Sequence, residues 1–415
     1  MTRLPNDCFA TDTSPLSVEA ALERIRGRLT PVTGIETVAL DDALDRVLAE
    51  DVISPIDVPP HDNAAVDGYA VRSDDLKPGG TELPVADRIA AGHPLDGAIP
   101  KGSAARVFTG APVPAALDTV VMQEDCHEAD GRVRLPAQVR VRANIRRRGE
   151  DVRRGAVTLT AGRRLGPGDL GLAASIGGTA LAVRRRLRVA LASTGDEVTE
   201  PGDPLRSGAV FDANRHTVKG LLARLGCSVT DLGIVRDDPA AIARTLRSAA
   251  GSHDAVITSG GVSAGEEDHV RAAVAAHGRI DAWRLSVKPG RPVALGVIDG
   301  SAFIGLPGNP VAAVVAFVTL ARPILLALSG AVAIAPARYP VTAGFDHAKK
   351  PGRREFLRVR LDSGMPPVAL KAGPDGSSIL SALAAADGLL DIPADSTGLA
   401  KGDTADYLPF NEVMR

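Results

Sequence analysis

From residue 187 onward, continuous and mostly apolar runs alternate with amphipathic segments of helical period. The apolar runs are "LRVALAS", "SVTDLGIV" and "DAVITSG", and the segments between them include "TVKGLLARLG" and "DPAAIARTLRSAA". Strands that are apolar along their whole length are buried on both faces, which is typical of a parallel sheet covered by helices. The pattern therefore predicts a mostly parallel α/β domain in the second half of the chain.

The flanking regions carry the composition of small β-domains. Residues 58–150 are rich in Val, Pro and Gly, with short alternating runs such as "ARVFTG" and "DTVVMQE", and after Pro336 similar runs are separated by Gly and Pro. Near the N-terminus, Ser17 can cap an amphipathic helix over residues 17–29, and "LDDALDRVL" predicts a second short helix. These patterns predict several domains, as the length of 415 residues also does.

Composition excludes several classes of protein. The 48 basic residues are balanced by 50 acidic ones and aromatic residues are only 3% of the chain, so neither a cationic surface nor stacking platforms favour nucleic-acid binding. Three distant cysteines fit neither a disulfide framework nor a zinc site. The most apolar stretch is interrupted by Arg322 and Pro323, which favours a buried helix over a membrane span. We expect a cytoplasmic protein without a membrane segment.

The loops that follow the predicted strands are the place to look for a site. Ligands of open parallel sheets bind beyond the carboxyl ends of the strands. Each such loop here combines Gly or Pro with a charged or amide residue: "STGDEVTEPG", "RDDPAA", "SGGVSAGEED", "KPGRPV" and "LPGNPV". In the third loop, Gly260 and Gly261 allow close backbone approach before a helix begins, which predicts an anion cradle.

Three consecutive acids, Glu266, Glu267 and Asp268, follow that cradle. The two glutamates can be explained as first-turn residues that stabilise the positive end of the helix. Asp268 next to a bound phosphate makes electrostatic sense when a cation lies between them, so we predict a phosphate-bound Mg²⁺. Glu197 and Asp237, in the first two loops, are the other candidate ligands. Zinc is disfavoured because the eight histidines are scattered.

The sequence "VKPGRPV" places Lys288 and Arg291 on a turn stiffened by Pro289 and Pro292, with Arg284 on the preceding strand. Two cations on a rigid turn suit a second anion, although a solvated turn with incidental charges is the alternative. Asn309 in "LPGNP" either contacts substrate or only shapes its turn.

Seven arginines occur between residues 139 and 154. They form either a solvated hairpin edge or an electropositive rim with Asp151 directed inward. "GPGDLG" at residues 166–171 lacks a preceding strand and predicts no dinucleotide site, and no GxxxxGK[ST] motif occurs.

Nine motifs occur in an order that resembles one family, the molybdopterin molybdotransferases, which include MoeA and the gephyrin E-domain. They are "DNAAVDGYA", "RVFTGAPVPAALDTVVMQED", "RRRGEDV", "ALASTGDEV", "FDANRH", "VRDDPAAI", "ITSGGVSAGEEDHV", "VKPGRPVALG" and "GLPGNPVAAVVAF". The resemblance implies insertion of molybdate into adenylylated molybdopterin, with release of AMP, in the last step of molybdenum cofactor biosynthesis.

The resemblance also implies an architecture. The expected fold class is multidomain α/β plus β, with a mostly parallel molybdopterin-binding domain, small β-domains and an elongated N-terminal helical/β segment. The implied domains are residues 14–57 with 152–183, 58–151, 184–332, and a C-terminal β-barrel-like domain at 336–415. Members form homodimers in which the cleft lies between the α/β domain of one subunit and the small β-domain of the other.

Functional positions follow residue by residue. The implied catalytic residues are Asp67, Thr109, Asp151, Glu197, Asp237, Asp268 and Lys288, with Glu197, Asp237 and Asp268 as Mg²⁺ ligands. The predicted substrate-binding residues are Ser259, Gly260, Gly261, Ser263, Arg284, Arg291, Pro307, Asn309 and Pro310. Arg284 departs from the lysine that some members carry, which changes the hydrogen-bond geometry.

Two other functions remain open at this stage. One is a molybdopterin adenylyltransferase-like enzyme, whose α/β domain is similar, although the added β-domains argue against it. The other is a non-catalytic scaffold of the gephyrin type, against which the intact acidic loops argue. Because no adenylyltransferase domain is present in the resemblance, a separate molybdopterin adenylyltransferase is the expected upstream partner.

Overall fold

A computed structural model describes residues 3–10, 15–261 and 269–414. The chain divides into two units. The large unit comprises Met1–Ala49, Gly162–Leu165 and Leu181–Arg415, and the small unit comprises Glu50–Ala161 and Gly166–Ala180.

The centre of the large unit is a six-stranded sheet. In spatial order its strands are Ser228–Val235, Arg188–Thr194, Ala255–Ser259, Ser301–Leu306, Pro292–Ile298 and Gly278–Arg284. The first four run parallel, and Pro292–Ile298 is antiparallel to both of its neighbours. Apart from Arg188, the central strands are buried along their whole length, as their continuous apolar sequences predicted.

Helices cover this sheet, and two of them begin at capping residues. The covering helices are Ala213–Arg224, Pro239–Ser252, His269–His277, Pro310–Ala316 and Arg322–Leu328. Asp212 accepts a hydrogen bond from the backbone N–H of Arg215, and Asp238 accepts one from Ala241, so both act as N-caps. The stretch Pro310–Leu328 is apolar and long enough to cross a membrane, but 94% of it is buried inside the structure. It is the predicted buried helix, with a π-helical turn at Phe317–Ala321.

A ring of five strands follows in the C-terminal region. Tyr339–Ala343, Arg354–Leu361, Val368–Lys371, Gly388–Ile392 and Thr404–Pro409 pair around a closed circuit. Val287–Lys288, from the predicted cationic turn, adds to this ring in parallel with Arg354–Leu361. We call these five strands the C-terminal ring.

The N-terminal part of the large unit contains one regular helix. Ser17 caps the helix Val18–Arg28 by accepting from the N–H of Ala20, as the sequence predicted. The second predicted helix is wrong: only Leu40–Asp42 forms a 3-10 turn. Asp45 has a φ of 62°, outside the helical region, and Val47 then bridges to Arg164.

The small unit is mostly β-structure around a mixed sheet. The strand order is Thr119–Met122, Gly68–Val71, Ala104–Val107, Thr81–Ile89, Arg132–Leu135 and His127–Ala129. Shorter strands (Val52–Ile53, Asn63–Ala64, Ile145–Arg146, Val157–Leu159) and the helix Pro167–Ser175 complete it. The predicted fold class, α/β plus β, is confirmed, whereas the four domain boundaries stay a prediction.

Candidate functional site

A cavity of about 1020 Å³ opens in the large unit at the carboxyl ends of the parallel strands. Its walls come from the loops after three of these strands, from the turn after Val287–Lys288, and from the C-terminal ring. The predicted site residues that line it are Glu197, Ser259, Gly260, Gly261, Lys288, Arg291, Pro307, Asn309 and Pro310. The site therefore lies where the topology of a parallel sheet places ligands.

The glycine turn at the floor of the cavity needs both of its glycines. Gly260 has a φ of 94°, and a Cβ there would lie 2.5 Å from the carbonyl oxygen of Thr194. Gly261 has a φ of 65°, and its Cβ would lie 2.7 Å from Thr194 Oγ1. The N–H of Gly260 donates to Leu306 O at 3.1 Å. The predicted anion cradle offers the backbone N–H groups of Gly260 and Gly261. Of these two, only the N–H of Gly261 has no acceptor among the described residues.

Two cationic side chains of the predicted turn stand in the cavity wall. Lys288 Nζ lies 3.1 Å from Glu355 Oε1, and the lysine side chain is 55% exposed. Arg291 is exposed, and within the described part of the chain no acid pairs with it. Both side chains can therefore reach an anion in the cavity.

Of the predicted acids Glu197 and Asp237, only Glu197 lines the cavity. The Glu197 carboxylate is folded back over Gly195, where a Cβ would lie 2.5 Å from Glu197 Oε2. Asp237 does not line the cavity, but its carboxylate accepts from the N–H of Asp196 at 3.2 Å, and Asp196 accepts in return from the N–H of Asp237 at 3.3 Å. The first two loops are therefore joined beside Glu197.

Other predicted positions lie elsewhere. Arg284 ends an edge strand and is not a cavity residue; its carbonyl accepts from the N–H of Leu16. Ser263 and Asp268, with Glu266 and Glu267, lie outside the described residues. Within residues 3–10, 15–261 and 269–414, no group of three or more His, Cys, Asp and Glu side chains could hold a metal ion.

In the small unit, the structure brings Asp67 and Thr109 together. Asp67 Oδ1 accepts from the Thr109 N–H at 2.7 Å and from its hydroxyl at 2.8 Å. These two hydrogen bonds lower the pKa of Asp67, and the charge of Arg106 lowers it further. The carboxylate is exposed to solvent, ionised and fixed in orientation.

Asp151 lies in a separate shallow depression formed by residues 149–153, residues 156–158 and Leu172. Of the seven neighbouring arginines, Arg147 pairs with Asp62 and Arg148 with Asp57, each at 2.6 Å. These two arginines are thus held by acids of the same unit.

Sequence comparison identifies the family. The MoeA N-terminal region (domain I and II) matches residues 16–177, a probable molybdopterin binding domain matches 190–327, and the MoeA C-terminal region (domain IV) matches 340–410. The chain is 38% identical over 404 residues to the molybdopterin molybdenumtransferase of Haemophilus influenzae, covering 96% of this chain and 100% of the relative. The chain belongs to the MoeA family.

Other family members agree. Molybdopterin molybdenumtransferase 2 of Mycobacterium tuberculosis is 37% identical over 380 residues, covering 88% of this chain and 93% of the relative. The crystal structure of the molybdopterin biosynthesis MoeA protein from Pyrococcus horikoshii OT3 has a TM-score of 0.82 at 28% identity, and covers 95% of this chain and 100% of that one.

Asn214 is a cavity residue of this MoeA chain that the sequence analysis did not identify. Its Nδ2 donates to Ser259 Oγ at 2.8 Å and to Gly308 O at 2.7 Å, so it joins two of the predicted loops. It follows the N-cap Asp212, which fixes the start of its helix. Its place in "FDANRH", directly after a helix cap, is the signal that could have indicated it.

Asp212 is itself held by a buried network. Arg215 Nε donates to Asp212 at 2.8 Å, one terminal nitrogen donates to both oxygens of Asp231 at 2.7 Å, and the other contacts Glu200. Burial alone would raise the pKa of Asp231, but hydrogen bonds from Arg215, Gly233 and Lys219 lower it to about 2. The network fixes the helix start on which Asn214 stands.

The C-terminal ring contributes one wall of the cavity, which no sequence pattern indicated. This wall includes His347, Arg353, Glu355, Arg358, Asp375, Ser377 and Ser378. Arg358 is buried and donates to Gly376 O at 2.6 Å and Pro374 O at 2.9 Å, and the N–H of Val311 donates to Ser377 O. The loop that carries both serines is therefore fixed against the cavity.

Proposed function

We propose that this protein inserts molybdate into adenylylated molybdopterin and releases AMP, in the last step of molybdenum cofactor biosynthesis. The observation that carries the proposal is the 38% identity to a molybdopterin molybdenumtransferase over that protein's full length. The cavity supports it, because its wall contains cationic side chains and its floor a glycine turn.

Molybdate is a tetrahedral dianion and needs fixed cations. Lys288, Arg291 and Arg353 supply three positive side chains around one cavity. Arginine offers several donors in a rigid plane, whereas lysine acts as a compact charge, so the three can hold different oxygens of one anion. We assign them to the anion that is transferred.

The diphosphate of the adenylylated substrate needs neutral donors as well. The N–H of Gly261 and the hydroxyl of Thr194 are available at the floor; Thr194 Oγ1 is buried and has no hydrogen-bond partner among the described residues. Such donors stabilise the charge that develops when the phosphoanhydride is cleaved and AMP leaves. Ser259, Pro307, Asn309 and Pro310 shape the same wall.

A magnesium ion belongs to the proposal. Mg²⁺ prefers carboxylate oxygens, and the exposed Glu197 carboxylate lines the cavity beside the loop of Asp237. We therefore keep Glu197, Asp237 and Asp268 as the proposed ligands. When bound, the ion would neutralise charge on the leaving phosphate.

The same proposal includes a homodimer and a cytoplasmic location. We infer a homodimer in which Asp67, Thr109 and Asp151 of one subunit complete the cleft of the other. A cytoplasmic location and a separate molybdopterin adenylyltransferase upstream follow from the same reading of the family.

AMP release tests the function. The protein is incubated with adenylylated molybdopterin and Mg²⁺, with and without molybdate, and AMP is measured by chromatography. We expect AMP release that depends on molybdate. Release that is indifferent to molybdate would mean hydrolysis of the adenylylated substrate and would contradict the proposed transfer. Formation of ATP when pyrophosphate replaces molybdate would favour an adenylyltransferase-like enzyme, and no release at all would favour a non-catalytic scaffold.

A further inference from the structure

A buried carboxylate lies in the cavity wall beside the cationic side chains. Glu355, on the first long strand of the C-terminal ring after Tyr339–Ala343, has a side chain only 6% exposed. Its Oε1 accepts from Lys288 Nζ at 3.1 Å, and its Oε2 lies 2.9 Å from His347 Nε2. One acid thus contacts two side chains that line the cavity.

The charge state of this group is fixed by its contacts. Burial by itself would raise the pKa of Glu355, but the hydrogen bonds and charges of His347 and Lys288 lower it below its ordinary value. Glu355 is therefore ionised at neutral pH and only accepts hydrogen bonds, so His347 Nε2 carries the hydrogen that it donates.

A buried negative charge beside a dianion site opposes binding by Coulomb repulsion. A purely structural role does not account for it, because the main chain already attaches the lysine strand to the C-terminal ring. Lys288 and Glu355 are parallel strand partners, and the N–H of Arg354 donates to Ser286 O at 2.8 Å. Because the main chain already joins the two strands, the remaining effect of the Lys288–Glu355 ion pair is to fix the position of the lysine ammonium group.

We propose that Glu355 is a positioning residue that holds the ammonium of Lys288 at the cavity wall, with His347 keeping the carboxylate in place. This inference rests on the proposed function, since it assigns Lys288 to the transferred anion. An ammonium has three donors, and the one given to Glu355 leaves two for the anion. A lysine held in this way loses less side-chain entropy when the anion binds.

The test compares Glu355→Gln, Glu355→Asp and Lys288→Met with the double variant that combines Glu355→Gln and Lys288→Met. Molybdate binding is measured by calorimetry in every variant, and the KM for molybdate and kcat are measured by AMP release in the variants that retain Lys288. Asp391→Asn is the matched control, because Asp391 is a buried acid of the same ring that pairs with Arg338 and Arg354 and does not line the cavity.

We expect Glu355→Gln to raise the KM and Kd for molybdate about tenfold, since a hydrogen bond to a charged group is lost, with kcat within about twofold. Glu355→Asp keeps the charge and should lie between wild type and Glu355→Gln. In the Lys288→Met background, Glu355→Gln should have no further effect. Asp391→Asn should lower Tm but leave the KM for molybdate unchanged.

Two results would overturn the inference. An unchanged or tighter Kd in Glu355→Gln would show that the carboxylate acts only as an opposing charge. An equal tenfold rise in the Lys288→Met background would show that it does not act through Lys288. If Glu355→Gln does not fold, Glu355→Asp takes its place. Its Kd for molybdate is then compared with and without Lys288→Met, and the same two results would overturn the inference. If the wild-type protein shows no molybdate-dependent AMP release, the proposed function itself is refuted.

Discussion

At the scale of single residues, the molecule places ionised groups by surrounding them with fixed donors. Arg215 does this inside the large unit, where its side chain is 5% exposed and contacts three acids. A buried charge is tolerated only when its partners compensate for lost hydration. The positions of Asp212 and Asn214, and through them of the cavity floor, depend on this compensation.

The pH dependence of stability should report this network. The pKa of Asp231 is lowered from 3.8 to about 2, so its ionised form stabilises the fold above about pH 4, and that contribution is lost as pH falls toward 2. We expect Asp231→Asn to reduce the free energy of unfolding by roughly 2 kcal/mol at pH 6, and by progressively less at lower pH. Thermal unfolding of both proteins between pH 6 and 3 measures this difference.

Asp203→Asn is the control for that measurement, because Asp203 is an exposed aspartate of the same unit. Its Tm should follow that of wild type at every pH. If the difference in Tm between Asp231→Asn and wild type stays constant between pH 6 and 3, the charge of Asp231 is not the property that Arg215 stabilises.

The pair formed by Asp67 and Thr109 allows a test in the small unit. Asp67→Asn keeps the size of the side chain and an oxygen that accepts from Thr109, but removes the charge. If the charge serves the reaction, AMP release should fall at least about a hundredfold while Tm stays within about 2 °C. Thr109→Ser, which keeps the hydroxyl, should retain most activity; equal loss in both variants would indicate a structural role only.

Single residues differ in how far the sequence could indicate them. Gly260 stands directly after the strand Ala255–Ser259, and Lys288 follows the strand Gly278–Arg284 by four residues. Local pattern and sheet topology were therefore sufficient to place them at one cavity. Glu355 is 67 residues from Lys288 in the sequence. No local pattern marks it, because its role depends on a strand pairing that only the folded structure defines.

At the scale of elements, the glycine turn connects the strand Ala255–Ser259 to the cavity. Gly260→Ala would place a methyl group 2.5 Å from a backbone oxygen at a φ of 94°, so the turn would have to move. We expect a lower Tm and an AMP-release KM for adenylylated molybdopterin raised at least about tenfold. Thermal unfolding and initial rates measure the two effects.

Gly220→Ala is the matched control for the glycine turn. Gly220 lies in the helix Ala213–Arg224, is exposed, and a Cβ there meets nothing within 4 Å. Alanine favours helix over glycine by about 1 kcal/mol, so this variant should be slightly more stable and fully active. A Gly260→Ala protein that behaves like Gly220→Ala would remove the glycine turn from the substrate site.

Element prediction succeeded where burial determines the pattern. The central parallel strands Ala255–Ser259 and Ser301–Leu306 are buried along their whole length, and their sequences are mostly apolar. Prediction failed for "LDDALDRVL", where apolar spacing suggested a helix but Asp45 adopts a positive φ and Val47 joins a bridge to a distant segment. Tertiary pairing there overrides a short local pattern.

At the scale of the whole molecule, the cavity is built from segments far apart in sequence. The C-terminal ring supplies Arg353 and the loop with Ser377 and Ser378, although nothing in its sequence resembles a site. Family resemblance gave the order of domains and the activity, but not this wall. Sequence pattern alone could not give it, because long-range contacts between a ring and a sheet leave no periodic signal.

Subunit complementation tests the proposed homodimer. If Asp67 of one subunit completes the cleft that contains Lys288 of the other, Asp67→Asn and Lys288→Met homodimers should each be inactive. In a two-fold symmetric dimer, a mixed dimer of these variants has one cleft with both substitutions and one with neither. Random exchange makes half of the dimers mixed, so mixing should restore about a quarter of wild-type AMP release. Activity that stays at the level of the separate variants after verified exchange would mean that each subunit carries Asp67 and Lys288 in its own site.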